Sequence, residues 1–257
     1  MDPRRVRVYR TEGIVLKRSD YGEADRLVTL FTPIHGKLRA IAKGVRRPTS
    51  RMSGSLELFC HSDFLLAVGR ELDVVAQGES LHPFRRLRED FWLAGHAHWV
   101  AELADHMTVE RNAPEARPLF DLLLETLHAL DAGCPPEMVV RFFEVQLLRL
   151  LGYGLQLARC LHCDAVIVPG PNFFSRHLGG VLCPNCGPAE ASASPIPVNV
   201  LKVLRYLQRT ERASDVRLNV PRGVERLVEA ITRTQVEQVA ERRIRSSEFI
   251  ELVRERV

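Results

Sequence analysis

The sequence contains no long hydrophobic run. No segment approaches the roughly 18 consecutive apolar residues of a membrane-spanning helix, and residues 1–5 are not followed by the apolar stretch of a secretion signal. We therefore expect neither a membrane span nor a signal peptide, and a cytoplasmic location. Hydrophobic residues at 46% and charged residues at 26% are typical of a folded globular protein, which excludes collagen-like and wholly disordered chains.

Nucleotide-binding motifs are also absent. The pattern GxxxxGK does not occur, and no GxGxxG follows a predicted strand. No grouping of Ser, His and Asp and no pair of carboxylates stands out from ordinary turn and surface positions. The sequence therefore predicts a protein that is not an enzyme and that uses no nucleotide cofactor.

Acidic residues are missing from one long segment near the amino terminus. The net charge is +4, and the surplus of Lys and Arg over Asp and Glu lies in residues 1–80. Residues 27–56 hold no acid but six cations, which we predict to bind nucleic acid: Lys37, Arg39, Lys43, Arg46, Arg47 and Arg51. A local positive field attracts polyanions, and Tyr9 and Phe31 are nearby aromatic candidates for base stacking. The alternative is a solvated, charged face of a small domain.

Four of the six cysteines form two closely spaced pairs. Cys160 and Cys163 make one C-x-x-C, Cys183 and Cys186 make the other, and the gap between the pairs falls in the range of roughly 15 to 20 residues that zinc ribbons use. Four thiolates complete the tetrahedral shell of one Zn²⁺ and leave no open position for water. The sequence therefore predicts one structural zinc ion, and a zinc hydrolase is the poorest interpretation.

The distribution of strand and helix patterns predicts an α+β protein of several domains. Five short strand-like runs with turn residues between them occupy residues 6–76, which favours a small OB-fold β-barrel over residues 1–81. Helical periodicity follows, and we predict a helical domain in two parts, residues 82–156 and 195–257, interrupted by a zinc-binding element at residues 157–194. Residues 246–257 are expected to form a terminal helical segment.

Several of these segments match a known pattern. The amino-terminal matches are TEGIVL (11–16), YGEADR (21–26), FTP (31–33), GK (36–37) and AKGVRR (42–47), and the middle ones are LGY (151–153), FS (174–175) and GG (179–180). Together they resemble the RecO family of bacterial recombination mediators. One departure is Asp164, which stands after the first cysteine pair where the family often has Gly.

The resemblance implies an OB-fold DNA-binding domain, a helical domain and a zinc element. It implies binding of single- and double-stranded DNA, annealing of complementary strands without ATP, and, with RecR, loading of RecA onto strands covered by single-strand-binding protein. It also implies a nucleoid-associated location. A second interpretation, from a different class, is a zinc-ribbon scaffold whose basic barrel binds structured RNA.

Overall fold

The computed structural model describes residues 7–111 and 115–240. The chain divides after Asp131 into two compact units, and we call the described residues 7–131 the first unit and 132–240 the second unit. The predicted terminal segment at residues 246–257 lies outside the described residues. None of the described helices has the length and apolar character that a membrane crossing requires.

Five strands make the sheet of the first unit: β1 (Val8–Tyr21), β2 (Asp25–Thr32), β3 (Gly36–Ala42), β4 (His61–Ala67) and β5 (Asp73–His82). They pair in the order β1-β2-β3-β5-β4, and β4 pairs again with β1, so that the sheet closes on itself. Only the short β3–β5 pairing is parallel. This order is OB-like and agrees with the amino-terminal architecture predicted from the sequence.

The core of the first unit follows from strand alternation. Val28 and Leu30 of β2 and Leu38 and Ala40 of β3 point inward and are almost completely buried. Residues between them, such as Arg39, point outward, because successive side chains of a strand face opposite sides of the sheet. Strand alternation therefore determines which side chains of β2 and β3 face the core and which face outward.

One predicted strand begins later than expected. Residues 56–68 read as a single apolar run, but Gly54–Leu56 forms a 3₁₀ turn and the strand starts only at His61. The intervening Phe59 has a left-handed backbone (φ 66°), and its amide donates to the carbonyl of Val15. The apolar residues at the start of the run are thus buried by a turn rather than by a strand, a difference that hydrophobicity does not reveal.

Three helices complete the first unit: α1 (Arg86–Glu89), α2 (Phe91–His106) and α3 (Ala116–Asp131). Helix α2 packs against β1, and α3 packs against β2 and β3. Because the division after Asp131 groups these helices with the strands, the predicted helical domain of residues 82–156 is split between the two units. The physical reason is that the apolar stripes of α2 and α3 are buried on the outer face of the sheet, which the sequence pattern could not show.

The second unit contains helices α4 (Pro136–Leu150), α5 (Val198–Arg209) and α6 (Arg222–Ala240), each packed against the other two. The predicted apolar stripe of α5, at Val200, Val203, Leu204 and Leu207, is buried as expected. Apolar periodicity also predicts one face of α6 at Val224, Leu227, Val228 and Ile231. Three of these side chains are buried, and the prediction is wrong for Leu227, which is exposed.

A small antiparallel sheet separates α4 from α5 along the chain. Its strands are β6 (Asn172–Ser175), β7 (Gly180–Leu182) and β8 (Ala193–Ile196), in the order β7-β6-β8. The two cysteine pairs lie before β6 and after β7. A cysteine-bearing segment inserted into a helical region is what the sequence predicted.

Candidate metal centre and nucleic-acid interface

The four paired cysteines converge on one point in the second unit. The sulfur atoms of Cys160, Cys163, Cys183 and Cys186 all lie within 4.8 Å of one another, and the Sγ atoms of Cys163 and Cys183 are 3.8 Å apart. A tetrahedral Zn²⁺ with bonds of about 2.3 Å separates its sulfur ligands by about 3.8 Å. The donor set and its spacing therefore fit one zinc ion.

Tight backbone turns bring each pair of sulfurs together. The amide of Asp164 donates to the carbonyl of Cys160 at 3.0 Å, and the amide of Gly187 donates to that of Cys183 at 2.9 Å. The amide of Cys183 also donates to Sγ of Cys160 at 3.3 Å, which links the two turns. His162 lies inside the first pair, but its Nε2 atom faces Oε2 of Glu190 at 3.8 Å and is not part of the sulfur cluster.

The close approach of the four cysteines shifts the pKa of Cys160 and of Cys186. Burial of Cys160 opposes ionisation, but backbone donors at Cys163, Cys183 and His162 outweigh it and lower the pKa of this thiol to about 6. The hydrogen bond with Cys183 is the main cause that raises the pKa of Cys186 to about 12. These contacts thus favour a thiolate at Cys160 and oppose one at Cys186, and a divalent cation is what lets all four thiols ionise together.

The second turn packs closely on the small sheet. A Cβ atom at Gly187 would lie 2.2 Å from Cδ2 of Phe173 in β6, so glycine is required there for steric reasons. The first turn is attached to α5 instead: the Arg205 guanidinium donates to the carbonyls of Leu157 and Ile167. The cluster is therefore held between β6 and α5.

Asp164 has the backbone conformation expected of the glycine it replaces. Its φ is 59°, in the left-handed region where Gly is preferred and Asp is tolerated. Its carboxylate also accepts a hydrogen bond from Arg159 at 2.8 Å. The departure from the resembled pattern thus leaves the turn intact.

The structure separates the six cations of residues 27–56 into two groups. Lys37 is mostly buried, and its Nζ lies 3.1 Å from Oδ1 of Asp105 in α2. Arg46 lies 3.3 Å from Oδ2 of Asp20 and donates to the carbonyl of Gly22. Lys37 is thus paired with a carboxylate of its own, whereas Arg46 shares Asp20 with Arg26, whose Nε lies 3.2 Å from Oδ1 of that residue. Engagement with acidic residues weakens the case of both as phosphate contacts.

The other four cations are exposed. Among the residues that the structure describes, no acidic partner is recorded for Arg39, Lys43, Arg47 or Arg51. Arg39 points outward from β3, and the remaining three belong to the segment that follows it. The prediction that these residues bind nucleic acid stays a prediction, and the geometry leaves their charges available for it.

Two further candidate nucleic-acid-binding residues, Lys17 and Tyr21, were not predicted from the sequence. Lys17 pairs with Thr29 across β1 and β2, and Thr29 pairs with Arg39 across β2 and β3, so that Lys17 and Arg39 share one outer face. Tyr21 is 54% exposed at the end of β1, beside the turn whose carbonyls bind Arg46. Lys17 could have been found from strand alternation, whereas the position of Tyr21 depends on the tertiary contact.

Of the two aromatic residues proposed for stacking, one is buried and the other is held by a hydrogen bond. Phe31 is completely buried. Tyr9 is partly buried and donates its hydroxyl to Asp73 at 2.5 Å, and burial together with that carboxylate raises the pKa of the phenol. The stacking prediction is therefore wrong for Phe31, whose outward face is covered because helices pack against the sheet, and it is weakened for Tyr9.

The fold and these two regions define a class: proteins with an OB-like amino-terminal unit, exposed cations on its surface, and a four-cysteine element within a helical second unit. Comparison with known proteins refines it. The family description "Recombination protein O N terminal" matches residues 6–84, and "Recombination protein O C terminal" matches residues 88–248.

Curated relatives agree over nearly the whole chain. DNA repair protein RecO of Roseiflexus sp. (strain RS-1) is 42% identical over 98% of this chain and 88% of its own length. The proteins of the same name from Pelotomaculum thermopropionicum and Dehalococcoides mccartyi (strain BAV1) are 39% and 37% identical; the first alignment covers 96% of this chain and 94% of the relative, the second 91% of each. The chain belongs to the RecO family of DNA repair and recombination proteins, which confirms the resemblance, and these family and protein names state no enzymatic activity.

Proposed function

We propose that this chain is a recombination mediator that binds single- and double-stranded DNA and anneals complementary strands without ATP. The observation that supports this most directly is the set of exposed cations on an OB-like unit in a chain of the RecO family. Annealing requires no covalent step, because cations that hold two strands reduce their mutual repulsion and base pairing supplies the free energy.

The partners of this function are RecR, RecA and single-strand-binding protein. With RecR, the chain helps to load RecA onto strands covered by single-strand-binding protein. Membership of the family is the support for this part of the proposal. The chain acts in the cytoplasm, at the nucleoid.

The four-cysteine cluster holds one structural Zn²⁺. Cys160, Cys163, Cys183 and Cys186 supply four thiolates, and their spacing supports a closed tetrahedral shell. The ion cross-links two turns of a segment that has only short strands of its own, and so contributes folding free energy rather than chemistry.

Annealing of complementary oligonucleotides is the decisive test. We expect the full chain to accelerate pairing of a fluorophore strand with a quencher strand in the absence of any nucleotide. The variant with Arg39→Glu and Lys43→Glu should anneal slowly while it keeps the wild-type circular dichroism spectrum, because both side chains are exposed.

Structured RNA serves as the competing ligand in the same assay series. Tight binding of a folded RNA, with no acceleration of DNA annealing by the wild-type chain, would contradict the proposal and favour an RNA-binding scaffold. Equal annealing by the wild type and the charge-reversed variant would exclude Arg39 and Lys43 from the mechanism.

A further inference from the structure

A groove on the exposed side of α5 is lined only by polar side chains. Its volume is about 460 Å³, and its walls are Lys202, Arg205, Tyr206, Arg209 and Thr210. Three of these five residues are cations, and none is an acid. This groove belongs wholly to the second unit, so it is independent of the cations on the OB-like unit.

The cations of the groove follow one line along the helix. Lys202, Arg205 and Arg209 stand at positions i, i+3 and i+7, which share one face of an α-helix. At a rise of about 1.5 Å per residue, the line from Lys202 to Arg209 is about 10 Å long. A stacked nucleic-acid strand advances about 3.4 Å per nucleotide, so the line matches about three nucleotides.

The positive charges of the groove are not offset by recorded ion pairs. Lys202 and Arg209 are exposed, and no acidic partner is recorded for them within the described part of the chain. Arg205 donates to the carbonyls of Leu157 and Ile167, which hold its guanidinium in place without cancelling its charge. Two exposed cations therefore flank one whose guanidinium is held by hydrogen bonds.

Tyr206 adds an aromatic ring in a defined position. Its hydroxyl donates to the carbonyl of Asp215 at 2.8 Å, so the ring is anchored at its far end beside the cations. Aromatic rings next to a line of cations are the combination that single strands recognise, since bases stack on the ring while phosphates meet the charges.

We propose that the α5 groove, defined by these five lining residues, binds the backbone of a nucleic-acid strand as a second site. The inference rests on the proposed function, because it takes DNA to be the ligand. A nucleic-acid strand fits better than an acidic peptide, since the lining places a regular line of charge beside an aromatic ring, which matches the regular spacing of phosphates and the flat faces of bases. Two sites on one chain provide one binding surface for each of two strands.

Fluorescence anisotropy of a labelled oligothymidylate measures this directly. The full chain is compared with a groove variant (Lys202→Glu, Arg209→Glu) and a matched control (Arg222→Glu, Arg226→Glu), which makes the same charge change at exposed positions of α6 outside the groove. Each phosphate contact on a single strand contributes about 0.7 to the slope of log affinity against log salt. We expect the groove variant to lose about 1.4 of that slope and the control to keep it.

The possible outcomes separate the groove from the wider proposal. No binding by the wild-type chain would contradict DNA binding altogether. Binding with the same slope in the groove variant and the control would overturn the proposed site in the α5 groove but not DNA binding by the chain. If the groove substitutions abolish binding of labelled polyglutamate and leave the DNA slope unchanged, the groove is a peptide site and the proposal is also overturned. If the glutamate variant loses its helical circular dichroism, the variant with Lys202→Gln and Arg209→Gln should show the same reduced slope.

Discussion

Lys37 and Arg39 differ in whether their charge is paired in the folded protein. Both are cations of β3, and both belong to the same acid-free segment, so sequence reasoning treats them alike. In the structure Lys37 is paired with Asp105, whereas Arg39 is exposed with no recorded acidic partner among the described residues. Asp105 lies on α2, far away in sequence, and a local charge count cannot detect such a partner.

Substitution of these two residues by Met should therefore have opposite consequences. Lys37→Met leaves the Asp105 carboxylate without its ion pair in a largely buried place, and we expect a loss of roughly 1 to 2 kcal/mol of unfolding free energy. Arg39→Met should leave stability within about 0.5 kcal/mol of wild type and weaken DNA binding. Urea unfolding and DNA anisotropy measure the two effects, and a stable Lys37→Met protein with strongly weakened binding would contradict this division.

The left-handed residue of the first cysteine turn gives a second test. At φ 59°, Asp164→Gly relieves backbone strain but removes the exposed pair with Arg159, so its effect should be near neutral. Asp164→Val places a β-branched side chain in the same conformation and should cost about 1 to 2 kcal/mol. Thermal melting of the zinc-loaded proteins compares the two, and an equal loss in both would point to the carboxylate rather than the backbone as the decisive feature.

Burial is the residue property that the sequence predicts least well. Phe31 was expected near a binding surface but is completely buried, and Leu227 was expected inside but is exposed. Strand and helix periodicity identifies the faces of an element correctly in both regions. It does not say which neighbouring element covers a given face, because that depends on packing between distant segments.

Among the elements, the cysteine turns were the most predictable. Their chemistry requires four sulfurs around one ion, and that constraint is local, so spacing alone predicts the convergence found at Cys160, Cys163, Cys183 and Cys186. The early part of residues 56–68 was the least predictable, because a turn through Phe59 buries the same apolar side chains as a strand would.

Removal of zinc should destabilise the element between α4 and α5. We expect elemental analysis to find about one Zn²⁺ per chain, and Cys183→Ser to lose the ion and lower the melting temperature, because the metal supplies folding free energy. Cys134→Ser is the matched control, since Cys134 is a buried cysteine outside the cluster, and it should keep the ion. A metal-free wild-type protein with unchanged melting would exclude a structural role for zinc.

The contact between α3 and the strands should depend on pH. His128 of α3 stacks on His82 of β5 with ring centroids 4.6 Å apart. Burial, and then the nearby His82 and His61, lower the pKa of His128, while Asp131 opposes the shift. Other groups close to this cluster are Asp131 beside His82 and Glu12 beside His61.

A lowered pKa means that the unfolded chain binds the proton of His128 more readily than the folded chain does. Stability is therefore complete above the ordinary histidine pKa of about 6.5 and falls as the pH drops below it. His128→Phe preserves a ring in the stack but cannot be protonated, so its unfolding midpoint in urea should fall less than that of wild type between about pH 7 and pH 5.5. Identical pH dependence in the two proteins would rule out His128 as the responsible group.

For the whole molecule, family membership and the order of the modules were predictable, but the division into units was not. Motifs distributed along the sequence were sufficient to predict the family and the order of the modules, because each motif match is local. The division after Asp131 depends on α2 and α3 packing against β1, β2 and β3. A boundary of this kind is a property of three-dimensional contacts, whereas the change from strand to helix periodicity near residue 82 marks only a change in secondary structure.

Binding of DNA by the whole chain should depend on which cations are free and not on net charge alone. Two double variants remove the same charge from the same segment: Arg39→Gln with Arg47→Gln, and Lys37→Gln with Arg46→Gln. The first pair is exposed without recorded acidic partners in the described chain, and the second pair is bound to Asp105 and Asp20. The first variant should lose about 1.4 from the slope of log affinity against log salt on a single strand.

The loss of affinity between about 50 and 200 mM salt should then be about seven-fold smaller for the first variant than for wild type, and annealing should slow in proportion to the weakened binding. The second variant should keep nearly the wild-type slope, because cations that already neutralise carboxylates release few counterions when DNA binds. It should instead melt at a lower temperature, since Asp105 loses its partner and Asp20 keeps only Arg26. If both variants lost the same slope, net charge rather than the free cations would govern binding; if neither did, the DNA site would lie away from this segment.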